Sequence, residues 1–156
     1  RDVAYSEPYF DAGLRLAVPV RSGVQRVEDL ASKRVAVEWG SEGDMVGREL
    51  QRQGIALTLV PQETPQAAID AVLLHASADA VLIDNVTLVQ AQQRGAALAG
   101  VGEMLTGNPY VIVLPRPAYE LRTQVNGALR RLQQQGSLAA LETRWFVHDF
   151  PETGQP

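Results

Sequence analysis

Residues 34–53 read RVAVEWGSEGDMVGRELQRQ, and they contain the clearest signal of the fold class. Its first five residues, Arg34–Glu38, carry a short apolar run that is typical of a buried strand. A turn containing Gly40 follows, and residues 44–53 show the spacing of a helix. A strand that leads through a tight turn into a helix is the repeating unit of α/β folds, so we expect this unit to recur along the chain.

The unit does recur in the residues that follow. Further strands are predicted at 57–60, 80–83 and 97–101. Between them, a helix is predicted at 65–76 with Thr64 as its N-cap, and another at 85–94, ended by Gly95. This βαβαβαβ order predicts an α/β fold with a mostly parallel sheet flanked by helices and joined by right-handed crossovers.

Two further β-rich runs, residues 14–20 and 110–114, bracket this central block. After the second run, residues 119–135 and 138–146 have helical spacing, with Gly136 ending the first of these helices and Ser137 capping the second. Residues 2–10 are typical of a strand and a turn, with no partner nearby in the sequence. We therefore expect elements of a second structural unit on both sides of the central block.

The composition excludes several classes of function. The 156 residues contain 14 Lys and Arg against 18 Asp and Glu, a net charge of −4, whereas nucleic-acid binders usually present a basic face, so no nucleic-acid partner is expected. There is no Cys, and the two His residues, His75 and His148, lie far apart, so we expect no metal site, no cofactor and no thiol chemistry. The apolar runs are shorter than the ~20 residues that a membrane-spanning helix needs.

Candidate site residues follow from the way open parallel sheets bind ligands. A ligand binds at the carboxyl ends of the strands, at the point where the strand order reverses. If the strands at 34–38, 57–60 and 80–83 take the common order second, first, third, this point lies between the ends of the first and the third. The predicted binding residues there are Glu38, Trp39, Gly40, Ser41, Glu42 and Asp84.

Ser41 and Asp84 would bind groups of opposite charge. Ser41 precedes a helix whose free N–H groups and dipole can hold an anionic group, and Gly40 lets the backbone come close to it. Asp84 can bind an ammonium group. Together they would bind a zwitterion, which indicates a free amino acid, although Ser and Asp in front of helices are also ordinary caps. Trp39 would either cover the ligand or fill the crevice.

Two other functions fit the sequence less well. The glycines at 40, 43 and 47 have the spacing G-x-x-G-x-x-x-G, which differs from the nucleotide-binding fingerprints, and no Lys follows them. Ser, Asp and Glu residues are present, but no His is placed to act with them as a general base. The sequence therefore favours binding without catalysis, and no catalytic residue is predicted.

A series of short motifs then indicates a family. They are Tyr5-Ser6-Glu7-Pro8-Tyr9, Val27-Glu28-Asp29-Leu30, Lys33-Arg34-Val35-Ala36-Val37, Gly40-Ser41, and the runs at 79–84, 110–115 and 125–129. In this order, over most of the chain, they resemble the family 3 extracellular solute-binding proteins, which are the polar amino-acid receptors of ABC importers. In that family two α/β lobes, joined by two crossing strands, close on an amino acid.

The resemblance implies an organisation into lobes. Residues 1–16 would be a remnant of the first lobe with the first hinge strand, and residues 17–112 a complete second lobe. Residues 113–150 would hold the exit from the second hinge and the C-terminal helices of the first lobe, and residues 151–156 a tail. The family's carboxylate-clamping Arg is expected just before residue 1, so the chain resembles a member that is truncated at the N-terminus.

The resemblance also implies a function. The chain would be the substrate-binding component of an ABC importer, acting by lobe closure in the periplasm or outside the cell, with a membrane permease as its partner. Asp84 would bind the ammonium group of the ligand and Ser41 its carboxylate, while Glu38 and Glu42 would favour a cationic side chain.

Two alternatives stay open alongside this function. The same module serves as the sensing domain of membrane receptors and channels, and a few relatives of this fold are cyclohexadienyl dehydratases, for which Glu42 or Glu38 could supply the acid or base. The resemblance also implies that the last two helices pack, in the family, against the part of the first lobe that is missing here. Their apolar faces would then be exposed, which predicts self-association or domain swapping of the chain.

Overall fold

The computed structural model describes residues 2–145, and these fall into two compact units. The central unit is Gly13–Gly107. The flanking unit consists of the described residues on either side of it, 2–12 and 108–145. None of the helices within residues 2–145 combines the length and the apolar character that a membrane span requires.

The described residues form nine strands, five α-helices and a short 3₁₀ helix at Val27–Leu30. In chain order the strands are β1 Val3–Tyr5, β2 Phe10–Asp11, β3 Leu14–Pro19, β4 Arg34–Glu38, β5 Thr58–Gln62, β6 Ala80–Asp84, β7 Leu98–Val101, β8 Pro109–Tyr110 and β9 Val113–Pro115. The α-helices are α1 Glu42–Arg52, α2 Pro65–Leu73, α3 Asn85–Gln93, α4 Tyr119–Gln134 and α5 Ser137–Trp145.

The central unit is built around a five-stranded sheet in the order β5-β4-β6-β3-β7. β4 pairs in parallel with both β5 and β6, so the first three strands of the predicted block lie in the predicted order second, first, third. β3 pairs antiparallel with β6 and with β7 and so separates these two strands. The sequence did not predict this insertion. It buries an apolar run whose Leu16 and Ala17 are no more than 1% exposed.

Helices cover both faces of this sheet, and each face has its own apolar core. The core under α2 and α3 includes Ala17, Ala36, Ile69, Val72, Val81, Ile83 and Leu88. The core under α1 and the 3₁₀ helix includes Leu14, Leu16, Leu30, Val35, Val37, Leu50 and Leu82. Neighbouring residues of a strand belong to different cores because successive side chains point to opposite faces of a sheet. The predicted α/β class with a central sheet flanked by helices is thus confirmed.

The helix ends in the central unit follow local sequence signals. The Ala67 N–H donates a hydrogen bond to Thr64 Oγ1 at 3.1 Å, and Pro65 occupies the first helical position, as predicted. α2 ends at Leu73 rather than at the predicted Ala76, which has a φ of 49° and so lies in the left-handed region. α1 begins at Glu42 directly after Ser41, two residues earlier than predicted.

A side-chain bridge aligns β4 with β6. Asp79 Oδ2 accepts a hydrogen bond from the Arg34 N–H at 2.8 Å, and the Asp79 carboxylate pairs with the Arg34 guanidinium at 3.0 Å. Hydrogen bonding from the Arg34 side chain and backbone lowers the pKa of Asp79 below its ordinary value. These contacts join the start of β4 to the residue before β6. Since the two strands are parallel, their carboxyl ends also lie at one edge of the sheet.

The strands of the flanking unit form two short antiparallel pairs, β1 with β9 and β2 with β8. The prediction of a single strand at 110–114 was wrong, because β8 ends at Tyr110 and β9 begins at Val113. Between them, the Ile112 N–H donates to Ser6 Oγ at 2.9 Å, and Ile112 O accepts from the Ser6 N–H at 3.0 Å. A side-chain hydrogen bond thus takes the place of a ladder hydrogen bond and divides the strand.

The described side chains on both helices of the flanking unit are at least partly exposed to solvent. α4 contains no buried residue, and Tyr119, Leu121 and Leu141 are all exposed. Ser137 is the first residue of α5 rather than the cap that precedes it, so that prediction was wrong by one position, as happens often at helix ends. The predicted helix end at residue 146 and the tail at 151–156 lie outside the described residues.

The chain passes between the two units twice, at residues 12–13 and 107–108. β2 precedes the first passage, β8 follows the second, and these two strands pair. The run 14–20 contains β3 of the central sheet, and its assignment as a hinge crossing, which came from the family resemblance, stays a prediction. The assignment of residues 17–112 as a lobe of a larger protein stays a prediction.

Candidate functional site

A small pocket lies in the central unit at the carboxyl ends of β4 and β6. It has a volume of about 140 Å³ and is lined by Leu14, Glu38, Ser41, Glu42, Gly43, Pro65, Ala68, Leu82, Ile83 and Asp84. Four of the six predicted site residues, Glu38, Ser41, Glu42 and Asp84, are therefore brought together. The strand order explains this result, because β4 and β6 are neighbours whose following helices cover opposite faces of the sheet.

Ser41 and Asp44 together cap the start of α1. Ser41 Oγ accepts a hydrogen bond from the Asp44 N–H at 3.3 Å, and the Asp44 carboxylate accepts one from the Gly40 N–H at 3.1 Å. Asp44 is only 5% exposed and forms an ion pair with Arg48 at 3.0 Å. Within residues 2–145 the N–H groups of Glu42 and Gly43 have no such acceptor, so they are the donors that this helix end can offer to an anionic group.

Gly43 lets the start of α1 lie against β6. A Cβ atom at this position would be 2.8 Å from the backbone oxygen of Leu82, which is too close for any residue with a side chain. Gly40 has a φ of +72°, which favours glycine in the turn between β4 and Ser41. Gly43 thus shapes the pocket wall through the backbone, and Gly40 shapes the turn that leads to it.

Asp84 ends β6 and caps α3. Its Oδ1 accepts a hydrogen bond from the Thr87 N–H at 2.9 Å, and its Oδ2 accepts one from the Thr87 hydroxyl at 2.6 Å. The sequence left open whether Asp84 is a cap or a binding residue. The side chain is in fact a cap that also lines the pocket, so the cap geometry does not remove it from the site.

Glu38 and Glu42 place two further carboxylates at the pocket. Neither carboxylate takes part in a hydrogen bond or an ion pair with any residue between 2 and 145, whereas Asp44 and Asp79 each pair with an arginine. Unpaired carboxylates near one another create a negative potential that attracts a cation. The pocket therefore combines donors for an anionic group with acceptors for a cationic one.

Trp39 and Gly40, which were also predicted to bind the ligand, do not line this pocket. Trp39 is 73% exposed and lies along a shallow cleft with Pro61, Gln62, Glu63 and Ala67. Trp39 therefore does not fill the crevice, and its contact with a ligand stays a prediction. The strand ends explain this placement, since Trp39 follows β4 directly and its N–H donates to Gln62 O at the end of the neighbouring β5.

The contribution of α2 to the pocket was not predicted from the sequence. Pro65 and Ala68, at the start of this helix, line it, so three helices begin at the same place. The signal was present in Thr64 and Pro65, which mark a helix start after a strand. Each helix N-terminus carries a partial positive charge, and three of them favour an anionic group in the pocket.

The pocket is lined by carboxylate-bearing residues and helix ends, and it is small. No His lines the pocket, and no group of three or more His, Asp or Glu side chains within residues 2–145 is arranged to hold a metal ion. Its volume is below the range of about 300–1,000 Å³ that is usual for small-molecule sites. A pocket of this size holds one side of a ligand rather than enclosing it.

No family model matches the chain. Among curated proteins, it is 27% identical over 151 residues to a putative amino-acid ABC transporter-binding protein of Vibrio harveyi, covering 93% of this chain and 58% of that protein. It is 24% identical over 151 residues to the ABC transporter glutamine-binding protein of Bacillus subtilis, covering 96% of this chain and 54% of that protein. The chain thus spans little more than half the length of the curated relatives it matches.

Solved structures show the same fold. A mutant of ArgBP from T. maritima superposes with a TM-score of 0.56 at 29% identity, covering 94% of this chain and 62% of that one. The L-cystine solute receptor of Neisseria gonorrhoeae in its unliganded open conformation superposes with a TM-score of 0.71 at 18% identity, covering 94% of this chain and 61% of that one. The second likeness shows the fold alone.

The relatives are amino-acid-binding proteins of ABC transporters, so the family resemblance inferred from the sequence is confirmed. The fold expected from it, a lobe of the periplasmic-binding-protein type, is confirmed as well. These relatives are binding proteins rather than enzymes.

Proposed function

We propose that the chain is part of the substrate-binding component of an ABC importer and that it binds a polar amino acid. The observation that carries this proposal is the pocket where three helices begin and where Asp84 supplies a carboxylate. Donors for a carboxylate and an acceptor for an ammonium group lie in one small space, and a free amino acid carries both groups on its α-carbon.

Each end of the ligand has its own partner in this proposal. The carboxylate of the amino acid accepts hydrogen bonds from the N–H groups of Glu42 and Gly43, in the favourable field of the helix end. The ammonium group donates to Asp84 in a charge-assisted hydrogen bond. The remaining contacts come from the first lobe of the whole protein, which closes over the ligand and removes it from water. Binding and release complete the cycle, and no bond is made or broken.

We further propose that the ligand has a cationic side chain. Glu38 and Glu42 line the pocket, and in residues 2–145 neither is neutralised by a partner, so both can face a guanidinium or ammonium group. The names of the relatives do not decide this point, since one binds glutamine and another is an arginine-binding protein by name. Isothermal titration of the full-length protein with arginine, lysine and glutamate tests the proposal, and tight binding of glutamate with none of arginine or lysine would contradict it.

A thermal-shift screen of the twenty amino acids on the full-length protein identifies the ligand, because a compound that binds the native state raises the melting temperature. Asp84→Asn should then weaken binding of that ligand by about tenfold to hundredfold, the usual cost of losing a hydrogen bond to a charged group. Asp70→Asn is the matched control, since Asp70 bonds to Gln66 on α2 and does not line the pocket. If none of the twenty shifts the melting temperature, the proposed function is wrong.

The place of action and the partners follow from the same proposal. The protein acts in the periplasm or outside the cell and delivers its ligand to a membrane permease. A transmembrane segment elsewhere in the whole protein would indicate a sensor instead of a transport receptor. Turnover of prephenate or arogenate by the full-length protein would indicate a dehydratase.

Self-association of the isolated chain also stays a prediction. It is supported by the exposed apolar side chains of Tyr119, Leu121 and Leu141 on helices of the flanking unit. Light scattering at several protein concentrations tests it, and a monomeric mass at every concentration would contradict it.

A further inference from the structure

One residue holds both oxygens of the Asp84 carboxylate. Thr87, in the first turn of α3, donates its backbone N–H to Asp84 Oδ1 at 2.9 Å and its hydroxyl to Asp84 Oδ2 at 2.6 Å. The second distance lies in the range of about 2.5–2.7 Å that is typical of a strong hydrogen bond from a hydroxyl to an ionised carboxylate. Glu38 and Glu42, the other carboxylates of the pocket, have no such partner within residues 2–145.

These two hydrogen bonds fix the orientation of the carboxylate. A single hydrogen bond leaves the group free to turn about its side-chain bonds, whereas bonds to both oxygens break if it turns. A carboxylate has about four lone-pair positions, and Thr87 uses one on each oxygen. One position on each oxygen therefore remains for a ligand, in a direction that is set before the ligand arrives.

We propose that Thr87 is a positioning residue for ligand binding, a role that rests on the proposed function of the pocket. Its hydroxyl holds Asp84 in the rotamer that receives the ammonium group, so that binding does not have to order this side chain. The backbone N–H would maintain the helix cap on its own, because any residue at position 87 supplies it. The hydroxyl is the part of Thr87 that the cap does not need.

The variant Thr87→Val tests this role, because it removes the hydroxyl, keeps the β-branched shape and leaves the backbone N–H bonded to Asp84. In the full-length protein it should weaken binding of the amino acid found by the thermal-shift screen by about threefold to tenfold, as measured by isothermal titration. Thr87→Ser restores a hydroxyl and should bind within about twofold of the wild type. Thr87→Ala replaces the valine variant if that variant does not fold.

A matched control separates positioning from a general loosening of the pocket. Thr64 caps α2, another helix that begins at the pocket, by accepting from the Ala67 N–H at 3.1 Å, and it does not line the pocket. Thr64→Val should therefore lower the melting temperature while leaving the affinity within about twofold of the wild type. If Thr87 had only a structural role, Thr87→Val would likewise lower the melting temperature and leave the affinity unchanged.

Each outcome is decisive. If Thr87→Val binds the amino acid as tightly as the wild type, or if Thr64→Val weakens binding as much as Thr87→Val does, the positioning role is wrong while the proposed function stands. If the wild-type protein binds none of the twenty amino acids, the proposed function fails, and the role of Thr87 in binding fails with it.

Discussion

Of the 25 apolar residues that the structure describes as buried, all but Ala12 and Leu114 lie in the central unit. The central unit has a sheet with a core on each face, whereas the helices of the flanking unit include α4, which has no buried residue at all. Buried apolar area is the main favourable contribution to folding. The central unit therefore contains most of what stabilises the chain.

Hydrogen bonds join the segments of the flanking unit, where few apolar side chains are buried. Ser6 and Ile112 exchange two hydrogen bonds, the Glu7 N–H donates to Asn126 Oδ1 at 2.8 Å, and the Glu7 carboxylate pairs with Arg130. Such contacts specify which segments lie together, but each contributes only about 0.5–1.5 kcal/mol on balance. In its described residues the flanking unit thus has regular strands and helices but few buried apolar side chains.

The sharpest test of this difference is a pair of Leu→Ala variants. Leu16→Ala, at a residue that is 1% exposed in the central sheet, should lower the free energy of unfolding by about 2–5 kcal/mol. Leu121→Ala, at a residue that is 47% exposed on α4, should change it by no more than about 0.5 kcal/mol. Urea unfolding followed by circular dichroism measures both values, and equal losses would mean that the flanking unit is buried in the protein as it exists in solution.

A second test concerns the wall of the pocket in the central unit. Gly43→Ala places a Cβ atom 2.8 Å from Leu82 O, so α1 has to move away from β6, at a cost of about 1–3 kcal/mol. The same movement displaces the N–H donors of Glu42 and Gly43, so affinity for the amino acid should fall as well. Gly23→Ala is the control, because nothing lies within 4 Å of its added Cβ. A Gly43→Ala variant with unchanged melting temperature and affinity would contradict the close packing of α1 on β6.

The smallest expected effect lies in the flanking unit. Asn126→Ala removes the acceptor of the Glu7 N–H, so the protein should lose about 1 kcal/mol and the Glu7 amide should exchange its hydrogen faster. Gln124→Ala, at an exposed residue of the same helix, is the control. Hydrogen exchange followed by mass spectrometry or NMR measures the change, and unchanged protection at Glu7 would show that this bond does not hold the segment.

Much of the fold was predictable from short stretches of sequence. The strand Arg34–Glu38 was predicted with the observed bounds, and the caps Ser41, Thr64 and Asp84 act as helix caps in the structure. Strand runs, turn glycines and caps are local signals, because they depend on residues no more than about four positions apart. The insertion of β3 between β6 and β7 was not predictable in this way, since it depends on which long-range pairing buries the most apolar surface.

The candidate site was predictable in part for the same reason. Glu38, Ser41, Glu42 and Asp84 follow strand ends, and the rule for open sheets places strand ends together. The contributions of Pro65, of the Leu82 backbone and of the Thr87 hydroxyl were missed, because each depends on a distance between atoms rather than on an order along the chain. Trp39 was predicted in the pocket from its position in the sequence, but it lies along a neighbouring cleft.

Local signals thus account for the α/β class, the order of the strands and helices in the central unit, the helix caps, and the acidic and helix-end groups available at one edge of the sheet. Which strands are neighbours, how closely α1 approaches β6, and which of those groups share a pocket became clear only from the three-dimensional packing. The reason is that caps and hydrophobic periodicity act through neighbouring residues, whereas strand pairing and pocket shape follow from the packing of side chains that are distant in sequence.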